Sequence, residues 1–134
     1  MTQETKKISL ILSSDNHEKV QLAGMISSVA AVTGIEVLVF VSMGAVRKFK
    51  KGISDDQRFS GGDFSQVLRE KKVPPYIDLF RQGKEFGGVR MFVCPMALEV
   101  LGWTKDDMED NLFDEIAGMT KFLIEADGSQ MLNL

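Results

Sequence analysis

The chain has one cysteine, Cys94, and one histidine, His17, so thiol chemistry has a single candidate and imidazole chemistry a single partner for it. Cysteine is nucleophilic as the thiolate, and free backbone N–H groups at the positive end of a helix dipole favour that form. Cys94 is followed by Pro95, whose fixed φ and missing N–H suit the first helical position. Before it, Val89, Met91 and Val93 alternate with Arg90 and Phe92 behind Gly87-Gly88, the pattern of a mostly buried strand. Met96 to Leu101 extends the helix and Gly102 stops it. The spacing therefore predicts Cys94 at the carboxyl end of a strand and the amino end of a helix, framed by Pro95 and Met96. A lone thiol there can hold sulfur as a persulfide or form an intermolecular disulfide, but it cannot cycle an internal one. The competing reading is a buried cysteine that behaves as a small hydrophobe. His17 assists proton transfer if its turn abuts Cys94, and otherwise is an exposed residue in the first turn of a helix. Met25, Met43, Met91 and Met96 either line a soft pocket near the thiol or belong to the core.

Several elements must position these residues. Lys6-Lys7 leads into a buried strand, Ile8 to Leu12, and Ser13-Ser14-Asp15-Asn16 supplies capping side chains. A helix follows from about His17 to Thr33. In it Leu22, Met25, Ile26, Val29 and Val32 recur at three- and four-residue spacing as one apolar face, and Ala23, Gly24, Ala30 and Ala31 allow close approach to a sheet. Ile35 to Val41 is the second strand, which makes a βαβ unit with parallel strands. Between Ser42 and Val73 the periodicity breaks down apart from Phe64 to Leu68, and half of all basic residues fall here: Arg47, Lys48, Lys50, Lys51, Arg58, Arg69, Lys71 and Lys72. So long a connection is a lid, a partner surface or a mobile loop, in part helical, and its charge either attracts anions or is merely solvated. Pro74-Pro75 opens another helix with Ile77, Leu79, Phe80 and Phe86 as apolar contacts. Beyond the Cys94 unit come a short helix at Lys105 to Asp110, a weaker strand at Asn111 to Ala117, a helix at Gly118 to Ala126 and a final strand at Gln130 to Leu134.

Alternating strands and helices with near-continuously apolar strands imply an α/β fold: one 1–134 domain, a three-layer α/β/α sandwich around a mainly parallel sheet. In such sheets sites form at the carboxyl ends of strands, where the turns at Ser13 to His17, Ser42 to Ala45 and Cys94 converge on one edge.

Composition narrows the function classes. Hydrophobic residues at 44% and charged residues at 26% are those of an ordinary soluble globular protein, and a net charge of −3 argues against nucleic acid as a partner. A single cysteine excludes an internal disulfide framework and suits the cytoplasm. The polar start, Met1 to Lys7, is no secretory signal. Val20 to Val46 has few charges, but Gly34, Glu36 and a β-branched run make it a buried helix and strand rather than a membrane span. No GxGxxG, P-loop or GxSxG pattern occurs, and one His with one Cys excludes the usual zinc sets. The carboxylates of Asp106 to Asp110 read as a solvated helix face.

The chain resembles the DsrE/DsrF-like sulfur-relay family, which has the DsrEFH-like fold. The resemblance is carried by the Ile8 to Asn16 strand and capped turn, by Ile35 to Gly44, and above all by Val93-Cys94-Pro95-Met96 with Leu101-Gly102, Asp106-Asp107-Met108 and Ile116-Ala117-Gly118. It implies a flavodoxin-like sandwich of five strands, assembled as a homo-oligomer. It also implies that Cys94 accepts sulfur, as a persulfide or thiosulfonate, and passes it to a partner sulfur-carrier protein. Only Cys94 matches a family functional position, and the additional cysteines of some members are missing. The expected function is a cytoplasmic sulfur carrier or sulfurtransferase that draws on small anionic sulfur species and needs no metal or organic cofactor. The rival is a non-catalytic oligomeric binding or assembly module with an inert Cys94.

Overall fold

The computed structural model describes residues 6–134; the polar start at 1–5 lies outside the described residues. Five strands form one all-parallel sheet in the order β4-β3-β2-β1-β5: β1 (Lys7–Leu12), β2 (Glu36–Val41), β3 (Val89–Val93), β4 (Glu115–Ile116) and β5 (Gln130–Asn133). The central strand β2 is buried from Val37 to Val41, as a parallel strand covered on both faces must be. Helix α1 (His17–Val32) links β1 to β2. Between β2 and β3 lie a 3₁₀ helix (Met43–Phe49), α2 (Asp55–Arg58), α3 (Asp63–Glu70) and α4 (Tyr76–Phe86). Helix α5 (Pro95–Leu101), a 3₁₀ turn (Lys105–Asp107) and α6 (Met119–Glu125) complete the chain.

The sheet's two faces are covered differently. Helices α1 and α4 pack together through glycines. A Cβ on Gly24 would meet Leu79 at 3.2 Å, and one on Gly83 would meet Val89 Cγ2 at 3.0 Å and the Ser27 carbonyl at 3.3 Å. The opposite face is closed by α6, whose buried Phe122 stacks on Phe40 with ring centroids 5.0 Å apart and meets Phe92 edge-on. The α/β/α sandwich expected from sequence is thus present in its layers, in its five strands and in its parallel pairing.

Several local details differ from the expectations. Of the apolar face read on α1, Leu22, Met25, Val29 and Val32 are exposed and Ile26 is partly buried against the core. The face α1 buries is the small-residue one (Ala23, Gly24, Ser27, Ala30 and Ala31), because tight helix packing needs small side chains between backbones. The 42–73 segment is not a loose loop. Its Phe49 is fully buried among Tyr76, Phe80 and Phe113, which pins the segment against α4. The fourth strand shortens to two residues and the Lys105 to Asp110 helix to one 3₁₀ turn, since Glu109 N–H donates to Phe49 O and Lys51 N–H to Asp107 O instead. Phe86, expected as an apolar contact of α4, is exposed. Among the described residues no helix is long and apolar enough to cross a membrane.

Candidate functional site

Parallel pairing sets the carboxyl ends of the strands side by side. Leu12 pairs with Val41 and Val41 with Val93, so the turns after β1, β2 and β3 share one edge. Main-chain bonds lock them together: Ser42 N–H donates to Leu12 O, Ala45 N–H to Ser13 O, and Cys94 N–H to Val41 O at 2.9 Å. The convergence read from the sequence is therefore present.

Cys94 occupies the N-cap position of α5 with extended backbone, φ −68° and ψ 121°, and Pro95 begins the helix as its type predicts. The Cys94 carbonyl accepts from Leu98 N–H, and Gly102, at φ 72°, ends the helix in the left-handed conformation that glycine alone adopts freely. The thiol makes no capping hydrogen bond and the residue is 7% exposed. Beside this turn runs an apolar groove lined by Met43, Met96, Ala97 and Val100, with Arg47 at its rim. Met43 and Met96 both reach it and are both exposed. Met43 also holds a left-handed backbone at φ 51°, a strained state for a residue with a Cβ. The other two methionines lie elsewhere: Met91 is core, and Met25 lines a shallow groove between α1 and β1 with Ile8 and Ile35.

His17 is buried rather than exposed. Its Nδ1 sits 2.9 Å from Ser65 Oγ, and its ring packs on Phe59 and Tyr76. Its backbone N–H donates to Ser60 O at 2.9 Å, so His17 clasps the 59–65 stretch over the start of α1. Burial first, and the nearby Lys48 charge second, hold the imidazole below its ordinary range, which keeps it neutral at pH 7. Every polar and ring contact of His17 points to a structural clasp.

Part of the basic segment's charge is neutralised, mostly by carboxylates outside it. Arg47 pairs with Asp15 at 2.9 Å, Lys51 with Asp110 at 2.7 Å, Arg58 with Glu109 at 3.2 Å and Arg69 with Asp56 at 2.9 Å. Lys48 is buried, its ammonium donating to the carbonyls of Gln57 and Ser60, while its own carbonyl accepts from the buried Tyr76 hydroxyl. Burial first, and the Arg47 charge with it, lowers the Lys48 ammonium from its usual range against the opposing pull of the Asp15 carboxylate, and burial likewise raises the Tyr76 phenol. Neither residue stood out in the sequence. The available signal was spacing: Ala45 and Lys48, like Val46 and Phe49, are three residues apart in a 3₁₀ helix, so the buried Ala45 side carries Lys48 inward with it.

Comparison with known proteins agrees with this architecture. Two solved structures share the fold. One is a protein of unknown function from Methanobacterium thermoautotrophicum, at 15% identity and TM-score 0.58, covering 96% of this chain and 99% of that one. The other is a conserved protein of unknown function from Bacteroides thetaiotaomicron, at 13% identity and TM-score 0.62, covering 96% and 95%. No curated protein matches the chain. The model of the DsrE/DsrF-like family matches residues 6–128, nearly the whole length, and the chain belongs to that family.

Proposed function

We infer that this protein carries sulfur on Cys94. The observation that bears the reading is the seat of the sole cysteine at the carboxyl end of β3 and the N-cap of α5, on the edge where three strand-end turns meet. Membership of a family related to sulfur relay supports it. In the proposed reaction the Cys94 thiolate attacks the outer sulfur of a small anionic donor such as thiosulfate. A Cys94 S–S bond forms, the donor's S–S bond breaks, and sulfite leaves with the bonding electron pair. The thiolate of a partner sulfur-carrier protein then attacks the outer sulfur of the Cys94 persulfide, and Cys94 departs as thiolate. This is thiol–disulfide exchange with sulfane sulfur as cargo, and neither step needs an external oxidant. Pro95 fixes the helix start, and the Met43 and Met96 side chains give polarisable walls next to the path of the sulfur.

One observation favours a second reading, an assembly module with an inert cysteine. Cys94 is nearly buried, whereas Leu22, Met25, Val29 and Val32 form an apolar stripe left uncovered among the described residues, of the kind that covers itself in a homo-oligomer. Native alkylation separates the two. Sulfur carriage requires Cys94 to react with a small electrophile at a rate far above that of global unfolding. Labelling only as fast as the chain unfolds would leave the assembly reading standing. Sedimentation of the wild-type protein and of Val29→Glu tests the stripe without touching Cys94.

A further inference from the structure

A cavity of about 380 Å³ opens beside the Cys94 groove, lined by Arg47, Lys48, Lys50 and Lys51 together with Asp15 and Trp103. Arg47 is the wall it shares with the groove. The charges do not balance. Arg47 is matched by Asp15 and Lys51 by Asp110, but among the described residues no carboxylate lies within 4.0 Å of Lys48 or Lys50. Lys50 instead sits over the Trp103 ring, 5.0 Å from its centroid. Lys48 is 5% exposed, and two of its three ammonium N–H groups are taken by the carbonyls of Gln57 and Ser60. Among the described residues the third has no acceptor. A buried ammonium without a counter-ion is costly, and an anion in the cavity would both complete its hydrogen bonds and offset the desolvation. The two carbonyls hold the nitrogen at the cavity wall, so the donor is positioned before any ligand arrives.

We propose that this cavity is a binding site for a small oxyanion, held by Lys48 and Lys50 beside Trp103, with Arg47 reachable by exchange from Asp15. The volume exceeds that of a bare tetrahedral ion, so the group is either free or the end of a small organic molecule. The site does not include Cys94, and it stands or falls independently of sulfur carriage.

Trp103 is the only tryptophan, so its fluorescence reports on this cavity alone. The full-length protein is titrated with phosphate, thiosulfate and glycerol phosphate, each against chloride at matched ionic strength, by fluorescence and by thermal shift. A saturable response absent with chloride is expected, unchanged in Cys94→Ser. It weakens about tenfold or more in Lys48→Met, the loss of a charge-assisted hydrogen bond. Lys50→Gln, at a half-exposed position that leaves the fold intact, weakens it similarly and decides the matter where Lys48→Met does not fold. Tighter binding of the ester than of either free ion assigns the organic source, and the reverse order assigns the free ion. A response no different from chloride in both measurements, or one equal in Lys50→Gln and wild type, overturns the site.

Discussion

Two stretches meet at the carboxyl edge of the sheet and are built by opposite means. The β3–α5 unit is held by its own neighbours: a strand, a proline at the first helical position, and a left-handed glycine seven residues on. The 43–70 stretch is held from far along the chain. Phe49 is wedged among Tyr76, Phe80 and Phe113, and His17 closes on Ser60 and Ser65. The first presents a thiol beside an apolar groove; the second presents cations beside an aromatic ring. A site made of local contacts tolerates change around it, whereas one made of distant contacts fails as a unit when one anchor goes.

That contrast sets an order of effects. Phe49→Ala empties a fully buried site and should lower stability by about 3–5 kcal/mol, measured by denaturant unfolding. Comparable loss from Val100→Ala, which is 80% exposed on α5, would erase the distinction; that change should stay within about 0.5 kcal/mol. Gly83→Ala forces a Cβ against Val89 and the Ser27 backbone, and overpacking of this kind should cost about 1–3 kcal/mol. Tyr76→Phe leaves the buried Lys48 carbonyl without its hydroxyl donor, at about 1–3 kcal/mol. The smallest effect is the pH dependence contributed by His17. Its folded-state value lies below 6.5, so near that pH the unfolded chain takes up a proton that the folded chain refuses. Its contribution is complete above 6.5 and declines as pH falls through the folded value. Unfolding midpoints followed across this range should drop toward acid in the wild type and drop less in His17→Gln.

The same contrast explains what was legible. The sandwich, the parallel strands and the place of Cys94 follow from local signals: apolar runs, Pro95, Gly102 and the Asn16 cap, whose side chain accepts from Glu18 N–H at 2.9 Å. The close approach of α1 was legible in Ala23, Gly24, Ala30 and Ala31, whereas the exposure of Leu22, Met25, Val29 and Val32 was not, because periodicity marks an apolar stripe without saying what covers it. The buried Lys48 and the inward turn of His17 depend on partners at 57–65, which no window around either residue contains. The extent of charge neutralisation was hidden for the same reason, since Asp15, Asp110 and Glu109 lie outside the basic stretch they match.

The central claim, sulfur carriage on Cys94, is tested most directly by the intact mass of the native protein after incubation with polysulfide, thiosulfate or tetrathionate, beside Cys94→Ser. Sulfur-sized or thiosulfonate-sized additions that reductant removes, and that the serine variant lacks, are the predicted result. An unmodified mass with every donor, in protein whose fold is intact, would contradict it.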